Sequence, residues 1–284
     1  MFRVVSMYRL LSFTLVVSLL CTFSLGAYAE EATNPDTLLI EGRHYFQGDG
    51  VVQDLPKGAS LILSAANAGS FQAMLEVASL YKFGFGKLVS EDYLEGTGPD
   101  CALLWYEKAA EVGDPELVGI AIANDAFDYF LGSDDGIIKE NDVEAIKYFH
   151  KAAEYENASA INMLATFYIF GYGVEQDPIH ALTLFSSLAE KGNNEALYSM
   201  EDYAYAYYAG TKEGIDINFS ISFQYYEKLA EYGNERAMYN IGLLYEYGLG
   251  IAQNHTKAVE WLTKAQDAGY EPSKSMLSKI DSNT

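Results

Sequence analysis

A helix-ending signature recurs along this chain every 36 to 44 residues, and it constrains the fold more than any other feature. In five copies a run of small and polar residues precedes a glycine, as in LAEYG at 229–233. In the remaining copy a glutamate occupies the position of the glycine. The six slots are Gly69, Gly113, Glu156, Gly192, Gly233 and Gly269. Self-similarity at this period is the signature of stacked helical hairpins. Glycine at these slots also predicts a left-handed turn after each second helix, with Asn157 supplying it beside Glu156.

Two further positions recur in every copy and predict close helix packing. Eleven residues before each slot the side chain is small: Gly58, Ala102, Ala145, Ala181, Ser222 and Ala258. Three residues later it is large: Leu61, Trp105, Tyr148, Leu184, Tyr225 and Trp261. A small position beside a large one lets neighbouring helices interdigitate, so we interpret these aromatic residues as core rather than as ligand-binding residues.

Capping residues predict where each helix begins and ends. Second helices begin after Asp54, Asn141, Asp177, Asn218 and Asn254, and in the second copy Gly98-Pro99 occupies the same slot, with Pro99 at the first helical position. Side chains of this type accept hydrogen bonds from the first unpaired backbone N–H groups of a helix. First helices end on a tyrosine followed by a Gly-x-Gly turn in four copies, at Tyr45, Tyr81, Tyr168 and Tyr245.

The combination of NIGLLYEYGLG at 240–250 with KAVEWLTKA at 257–265 strongly resembles the Sel1-like repeat, a relative of the tetratricopeptide repeat. The resemblance covers residues 37–270, after a short linker at 30–36. It implies an all-α fold: an alpha-alpha superhelical solenoid of about six hairpins, with residues 271–284 as a capping helix and tail. The expected units are about 37–70, 71–114, 115–157, 158–193, 194–234 and 235–270. The third and fifth units depart from the pattern, so the registers of their first helices stay open.

The N-terminal residues carry an export signal. Arg3 and Arg9 precede a mostly apolar run over 10–25, and Ala27-Tyr28-Ala29 matches a signal-peptidase site. We therefore expect residues 1–29 to be a signal peptide and the mature protein to be periplasmic or secreted, of bacterial type. An uncleaved membrane anchor is the alternative, although the run is shorter than the roughly 20 residues that span a bilayer. We expect no membrane insertion after cleavage.

Charge and motif content disfavour several classes of function. The chain has 40 acidic and 18 basic side chains, a net charge of -22, which would repel nucleic acid. Cleavage would remove Cys21 and leave Cys101 as the single thiol, so no internal disulfide is expected. The four histidines fall in four different units, and no nucleophile elbow, phosphate loop or dinucleotide fingerprint is present. We therefore expect no enzyme activity, no metal and no cofactor.

The resemblance further implies that first helices line a concave surface that holds a peptide or partner protein. Counting from the small residue in the middle of each well-aligned first helix, offsets of -3, +1 and +4 form one helical stripe. The protein-binding candidates on it are Arg43, Phe46, Leu75, Ser79, Lys82, Asn162, Thr166, Tyr239, Leu243 and Glu246, and Leu39 and Ile169 complete the pattern. Arg43 and Lys82 would be two of the few positively charged side chains in an acidic protein. The alternative is that part of the stripe packs against the next unit.

The sequence thus predicts a non-enzymatic scaffold or adaptor in the bacterial envelope or outside the cell, with a protein or peptide partner. Two alternatives remain open at this point. One is a cell-wall hydrolase or beta-lactamase-like member of the family, although this chain lacks the paired cysteines of such members. The other is a secreted host-interaction (virulence) factor.

Overall fold

The computed structural model describes residues 34–90, 98–133 and 136–283. The predicted signal peptide at 1–29, with Cys21, lies outside these residues. The described residues form thirteen α-helices and one short 3-10 turn, with no β-strand among them. Over the same residues, no helix is both long enough and apolar enough to cross a membrane.

The first of two compact units ends at Asn157 and contains three helical hairpins. Helix α1 (Pro35–Gln47) packs on α2 (Leu55–Asn67), α3 (Phe71–Lys82) packs on α4 (Gly98–Val112), and α5 (Pro115–Leu131) packs on α6 (Asp142–Glu154). The 3-10 turn, Gly86–Leu88, follows α3.

The second unit begins at Ala158 and contains three more hairpins and a final helix. Helix α7 (Ala158–Phe170) packs on α8 (Pro178–Glu190), α9 (Asn194–Ala209) packs on α10 (Phe219–Glu231), and α11 (Glu235–Tyr247) packs on α12 (His255–Asp267). Helix α13 (Pro272–Asn283) packs on α12 through Met276 and Ile280, which meet Leu262. The predicted all-α repeat class, six hairpins followed by one helix, is confirmed.

The predicted caps of the second helices are confirmed. Asp54 accepts a hydrogen bond from the backbone N–H of Lys57 at 3.0 Å, and Asn254 accepts one from Lys257 at 3.0 Å. Asn141, Asp177 and Asn218 cap α6, α8 and α10 in the same way. These bonds satisfy backbone donors that have no partner inside the helix, so they fix the residue at which each helix starts.

The predicted turns after the second helices are correct in four units and wrong in two. Gly69, Gly192, Gly233 and Gly269 have φ of 93°, 83°, 80° and 102°. Gly113 does not take a positive φ; a Cβ there would lie 2.1 Å from Cδ2 of Phe71, so this glycine makes room for an aromatic ring. In the third unit Glu156 itself adopts the left-handed conformation, with φ of 58°, and Asn157 does not.

Close backbone approach explains the recurring small position. A Cβ on Gly58 would lie 2.6 Å from the backbone N of Phe46 and 2.8 Å from the carbonyl oxygen of Gly42, which no side chain movement could relieve. Ala102, Ala145, Ala181, Ser222 and Ala258 have no exposed surface at all. The small residue therefore sets the distance between the two helices of each hairpin.

Two of the large recurring residues join successive hairpins. The Tyr148 hydroxyl donates to the carbonyl oxygen of Pro99 at 2.7 Å, and the Tyr225 hydroxyl donates to that of Pro178 at 2.7 Å. Each tyrosine lies on a second helix and reaches the first turn of the preceding second helix. Both rings are fully buried and Trp105 is 4% exposed, so the interpretation as core is correct for these three aromatic residues, whereas Trp261 is half-buried.

Candidate functional site

The predicted stripe is buried where it follows α3. Leu75 and Lys82 are each 8% exposed and Ser79 is 0% exposed. The Lys82 ammonium contacts the carboxylates of Asp125 and Asp128, and it lies 2.7 Å from Oδ2 of the latter. The Tyr106 hydroxyl donates to the Asp125 carboxylate at 2.8 Å. The expectation that Lys82 offers its charge to a partner is therefore wrong, because two residues of α5 already hold it.

Burial and the ion-pair contacts act in opposite directions on the pKa of Lys82 and on that of Asp125. Burial alone would lower the pKa of Lys82, but the carboxylates of Asp125 and Asp128 outweigh it and raise that pKa. Burial raises the pKa of the Asp125 carboxyl, and the contacts with Lys82 and Tyr106 oppose that rise. The cluster holds first helices of neighbouring hairpins together, since α3 carries the cation and α5 the anions.

Arg43 and Phe46 also contact the following hairpin. Arg43 Nε lies 2.6 Å from Oε1 of Glu76 on α3, although 40% of the arginine side chain remains exposed. The Phe46 ring meets the Phe85 ring edge-on, with centroids 5.8 Å apart. Burial raises the pKa of Glu76, and the bond to Arg43 opposes this. In the first unit the stripe therefore runs between hairpins, which was the alternative left open above.

The stripe residues of the second unit are half-buried and contact neighbours of their own unit. Ser199 on α9 donates to Oδ1 of Asn162 at 3.4 Å, and the Thr166 hydroxyl donates to the Asn162 carbonyl oxygen at 3.1 Å. The Tyr239 and Tyr270 rings pack with centroids 5.1 Å apart. Leu243 packs on the α12–α13 core, and Glu246 meets Nδ1 of His255 at 2.8 Å. The structure does not bring the ten candidates together on one open surface.

An open groove does lie on the first helices of the second unit, beside the predicted stripe. It encloses about 440 Å³, with α9 and α11 as its sides and contributions from α10 and from Tyr270, which lies between α12 and α13. Two tyrosines of α9 are strongly exposed on it: Tyr198 at 73% and Tyr205 at 50%. The lining residues are Tyr198, Glu201, Asp202, Tyr205, Tyr226, Arg236, Asn240 and Tyr270, which we name the tyrosine groove.

Charged side chains of both signs lie in the tyrosine groove. Arg236 Nη1 is 2.9 Å from Oε1 of Glu201, and the Asn234 amide donates to the other oxygen of that carboxylate at 3.3 Å. The Asp202 carboxylate contacts the ammonium of Lys212 and is still 59% exposed. The groove therefore combines exposed aromatic rings with carboxylates that remain accessible to solvent.

Tyr226 closes the inner side of the groove. It is 1% exposed, and within the described residues its hydroxyl is buried with no hydrogen-bond partner. Burial raises its pKa strongly, and the nearby carboxylate of Glu201 adds to the rise. A neutral hydroxyl is thus fixed below the exposed rings, and the free energy of burying it without a partner is unfavourable.

The sequence analysis missed this groove because the register of the fifth unit was left open. Helix α9 has 16 residues, against 13 in both α7 and α11, so the three extra residues continue the helix rather than loop out. Read as one continuous helix, Tyr198, Asp202 and Tyr205 follow each other at spacings of four and three and share a face. That spacing is the signal that could have found the site.

Another cavity, of about 340 Å³, lies in the first unit beside Lys82 and Tyr129 and under residues 137–141. Its charged wall belongs to the cluster described above. In the parts of the chain that the structure describes, no three His, Cys, Asp or Glu side chains converge as metal ligands.

Comparison with protein families decides the class of this chain. The Sel1 repeat model matches six successive segments, at 42–70, 71–114, 120–154, 158–193, 197–234 and 235–270. The chain belongs to the Sel1 repeat family. Each matched segment contains most of one helical hairpin, so the repeat and the hairpin are the same unit in this Sel1 repeat protein.

Curated relatives share the repeats at low identity. This Sel1 repeat protein is 29% identical over 235 residues to an ERAD-associated E3 ubiquitin-protein ligase component of Arabidopsis thaliana, a match that covers 78% of this chain and 29% of the relative. It is 28% identical over 153 residues to chitin synthase regulatory factor 4 of Schizosaccharomyces pombe, covering 53% of this chain and 23% of the relative. The chain thus spans less than a third of the length of these relatives.

Solved structures include a Sel1 repeat protein of Oxalobacter formigenes, which is 28% identical. That match covers 83% of this chain and 88% of the other, with a TM-score of 0.33. A protective antigen of uropathogenic Escherichia coli is also 28% identical, covering 88% of this chain and 49% of the other, with a TM-score of 0.35.

Proposed function

We propose that this Sel1 repeat protein is a non-enzymatic adaptor of the bacterial envelope, or a secreted one, that binds a partner protein through the first helices of its second unit. Sel1 repeat proteins are protein-interaction scaffolds and adaptors. The names of the two relatives above, a ligase component and a synthase regulatory factor, describe proteins that work with an enzyme. Export is proposed from the signal peptide that the sequence predicts at residues 1–29.

The observation that carries the proposal is the exposure of Tyr198 and Tyr205 on α9. A tyrosine ring provides a large, rigid and amphipathic contact area at a small entropic cost, and tyrosine is enriched in protein interfaces. Single exposed apolar residues are ordinary, but two exposed rings at the edge of one groove, above a third buried ring at Tyr226, are an arrangement suited to binding.

Site-specific photocrosslinking tests the proposal. The full chain would carry a benzoylphenylalanine at position 198 or 205 and be irradiated in cells of its source organism. A matched control would place the same group at Ile217, which is 55% exposed, lies in the same unit and is outside the groove. We expect a discrete protein adduct from the groove positions and none from the control. Equal adducts from all three positions, or none, would contradict the proposal.

The export part of the proposal has its own measurement. Intact-mass analysis of the protein from fractionated cells should give a chain that begins at Glu30 in the envelope or the medium. A cytosolic chain that retains residues 1–29 would refute export while leaving the adaptor role to be judged by the crosslinks.

A further inference from the structure

Tyr198 and Tyr205 are two of the exposed aromatic residues in the described part of the chain, and they lie on one groove. Lysines of this protein lie over rings that are less exposed: Lys257 lies 5.0 Å from the Tyr245 centroid, and Lys264 lies 4.0 Å from the Trp261 ring. Across the described part of the chain, no lysine or arginine lies over the rings of Tyr198 and Tyr205. One side of the Tyr205 ring stacks near the Tyr208 ring, with centroids 6.5 Å apart, and the exposed part of both groove rings can meet a cation from another molecule.

Acidic side chains accompany these rings along α9. Glu195, Tyr198, Asp202 and Tyr205 follow one another at helical spacing, so they share one face, and both acids are exposed. The two cations nearest to this face, Arg236 and Lys212, each already contact a carboxylate of α9. A further cation would therefore meet ring faces and carboxylates together.

The net charge of the whole chain also favours a positively charged partner. At -22, the protein attracts a basic segment over long distances and repels an acidic one. A carboxylate entering the groove would find Arg236 already paired with Glu201 at 2.9 Å, whereas Asp202 stays 59% exposed despite its contact with Lys212 and Glu195 is also exposed. Charge complementarity thus selects between the two kinds of partner.

We infer that the tyrosine groove binds a lysine- or arginine-bearing segment of the partner protein, with cationic side chains over the Tyr198 and Tyr205 rings and beside the Asp202 carboxylate. This inference rests on the proposed function and specifies the chemistry of its partner. A cation over a tyrosine ring contributes about 0.5–1 kcal/mol, or roughly two- to fivefold in affinity, so two rings give about tenfold.

Fluorescence anisotropy with the full chain tests this chemistry. The probes are three labelled peptides with one Gly-Ser frame that differ only at two central positions, which are lysine, glutamine or glutamate. The lysine peptide should bind about tenfold more tightly than the glutamine peptide, the glutamate peptide should bind most weakly, and added salt should reduce the differences. Equal affinity for the three peptides would overturn the inference.

Matched variants separate binding in the groove from adsorption elsewhere on an acidic surface. Replacing both rings by an aliphatic side chain, Tyr198→Leu with Tyr205→Leu, should weaken the lysine peptide about tenfold, whereas Tyr198→Phe with Tyr205→Phe should keep its affinity within about twofold. Tyr172→Leu, at an exposed tyrosine outside the groove, is the control and should have no effect. Circular dichroism would verify that each variant is folded.

Two outcomes would overturn the inference even if the lysine peptide binds well. One is unchanged affinity in the double leucine variant, which would place binding elsewhere. The other is an equal loss in the phenylalanine and leucine variants, which would exclude the ring faces as the source of affinity. A crosslinked partner at position 198 without any lysine preference would reject this chemistry and leave the adaptor role standing.

Discussion

Removing the ammonium of Lys82 should strongly destabilise the first unit. The side chains of Lys82 and Asp125 are only 2% and 4% exposed, and that of Asp128 is 17% exposed. The change Lys82→Met keeps most of the side-chain volume but removes the ammonium that contacts both carboxylates, and Asp125, the more buried of the two, loses its ion pair. Breaking one side of a buried ion pair costs about 3–5 kcal/mol. At about 2–4 °C per kcal/mol, the unfolding midpoint of this unit should fall by roughly 10 °C.

Acid pH should relieve this penalty. Burial already raises the pKa of Asp125 above its ordinary 3.8, and loss of Lys82 removes a contact that opposes the rise. A carboxyl whose folded pKa is raised destabilises the folded state above that pKa, and the penalty disappears as the pH falls through it toward 3.8. The difference in unfolding free energy between variant and natural protein should therefore shrink steadily on acidification from neutral pH.

Calorimetry across this pH range, with two further variants, checks the reasoning. Lys82→Met with Asp125→Asn neutralises the more buried carboxyl and should recover most of the lost stability. Lys147→Met removes a lysine that is 36% exposed and pairs with Asp100 and Glu144, so it should cost less than about 1 kcal/mol. A loss below about 1 kcal/mol for Lys82→Met, or no recovery in the double variant, would refute the account.

Two other predictions concern the core. Tyr148→Phe removes a hydroxyl bonded at 2.7 Å and should cost about 1 kcal/mol, whereas Tyr226→Phe removes a buried hydroxyl that has no partner among the described residues and should be neutral or stabilising in denaturant titrations. Equal losses in both would contradict this. Gly58→Ala should cost several kcal/mol more than Gly50→Ala in the same titration, because a new Cβ at position 58 would collide with the backbone of Phe46. At Gly50 the new Cβ would meet no described atom within 4 Å, and the cost comes only from the positive φ of 73°. Similar losses in the two variants would contradict the role of the contact.

The repeating parts of the fold could be predicted from sequence because each depends on a local rule. A cap such as Asn254 and a left-handed glycine such as Gly233 act within one turn of their own helix, so spacing reveals them. Gly113 was misinterpreted because its reason for being glycine is the ring of Phe71, a contact that lies 42 residues away in sequence. Local rules do not report such contacts.

The binding surface was harder to predict for the same reason. Whether a first-helix residue faces solvent or the next hairpin depends on partners in another repeat, and for Lys82 these partners lie 43 and 46 residues later. In the first unit the side of the helix that carries the stripe faces a neighbouring hairpin. The exposed rings of α9 lay in the one unit of the second half whose register the pattern could not fix.

The tyrosine-to-proline hydrogen bonds occur at two of the interfaces between successive hairpins. In a linear array each hairpin is stabilised only by its own folding and by the interface with its neighbour, so local opening begins where that interface is weakest. Tyr148 joins the second and third hairpins and Tyr225 the fourth and fifth, whereas Trp105 and Trp261, at the equivalent positions of the second and sixth, have no hydroxyl to donate. Tyr148→Phe and Tyr225→Phe should therefore each speed deuterium exchange at the first turn of the helix that accepts the bond, α4 or α8, and leave exchange in α2 and α12 unchanged.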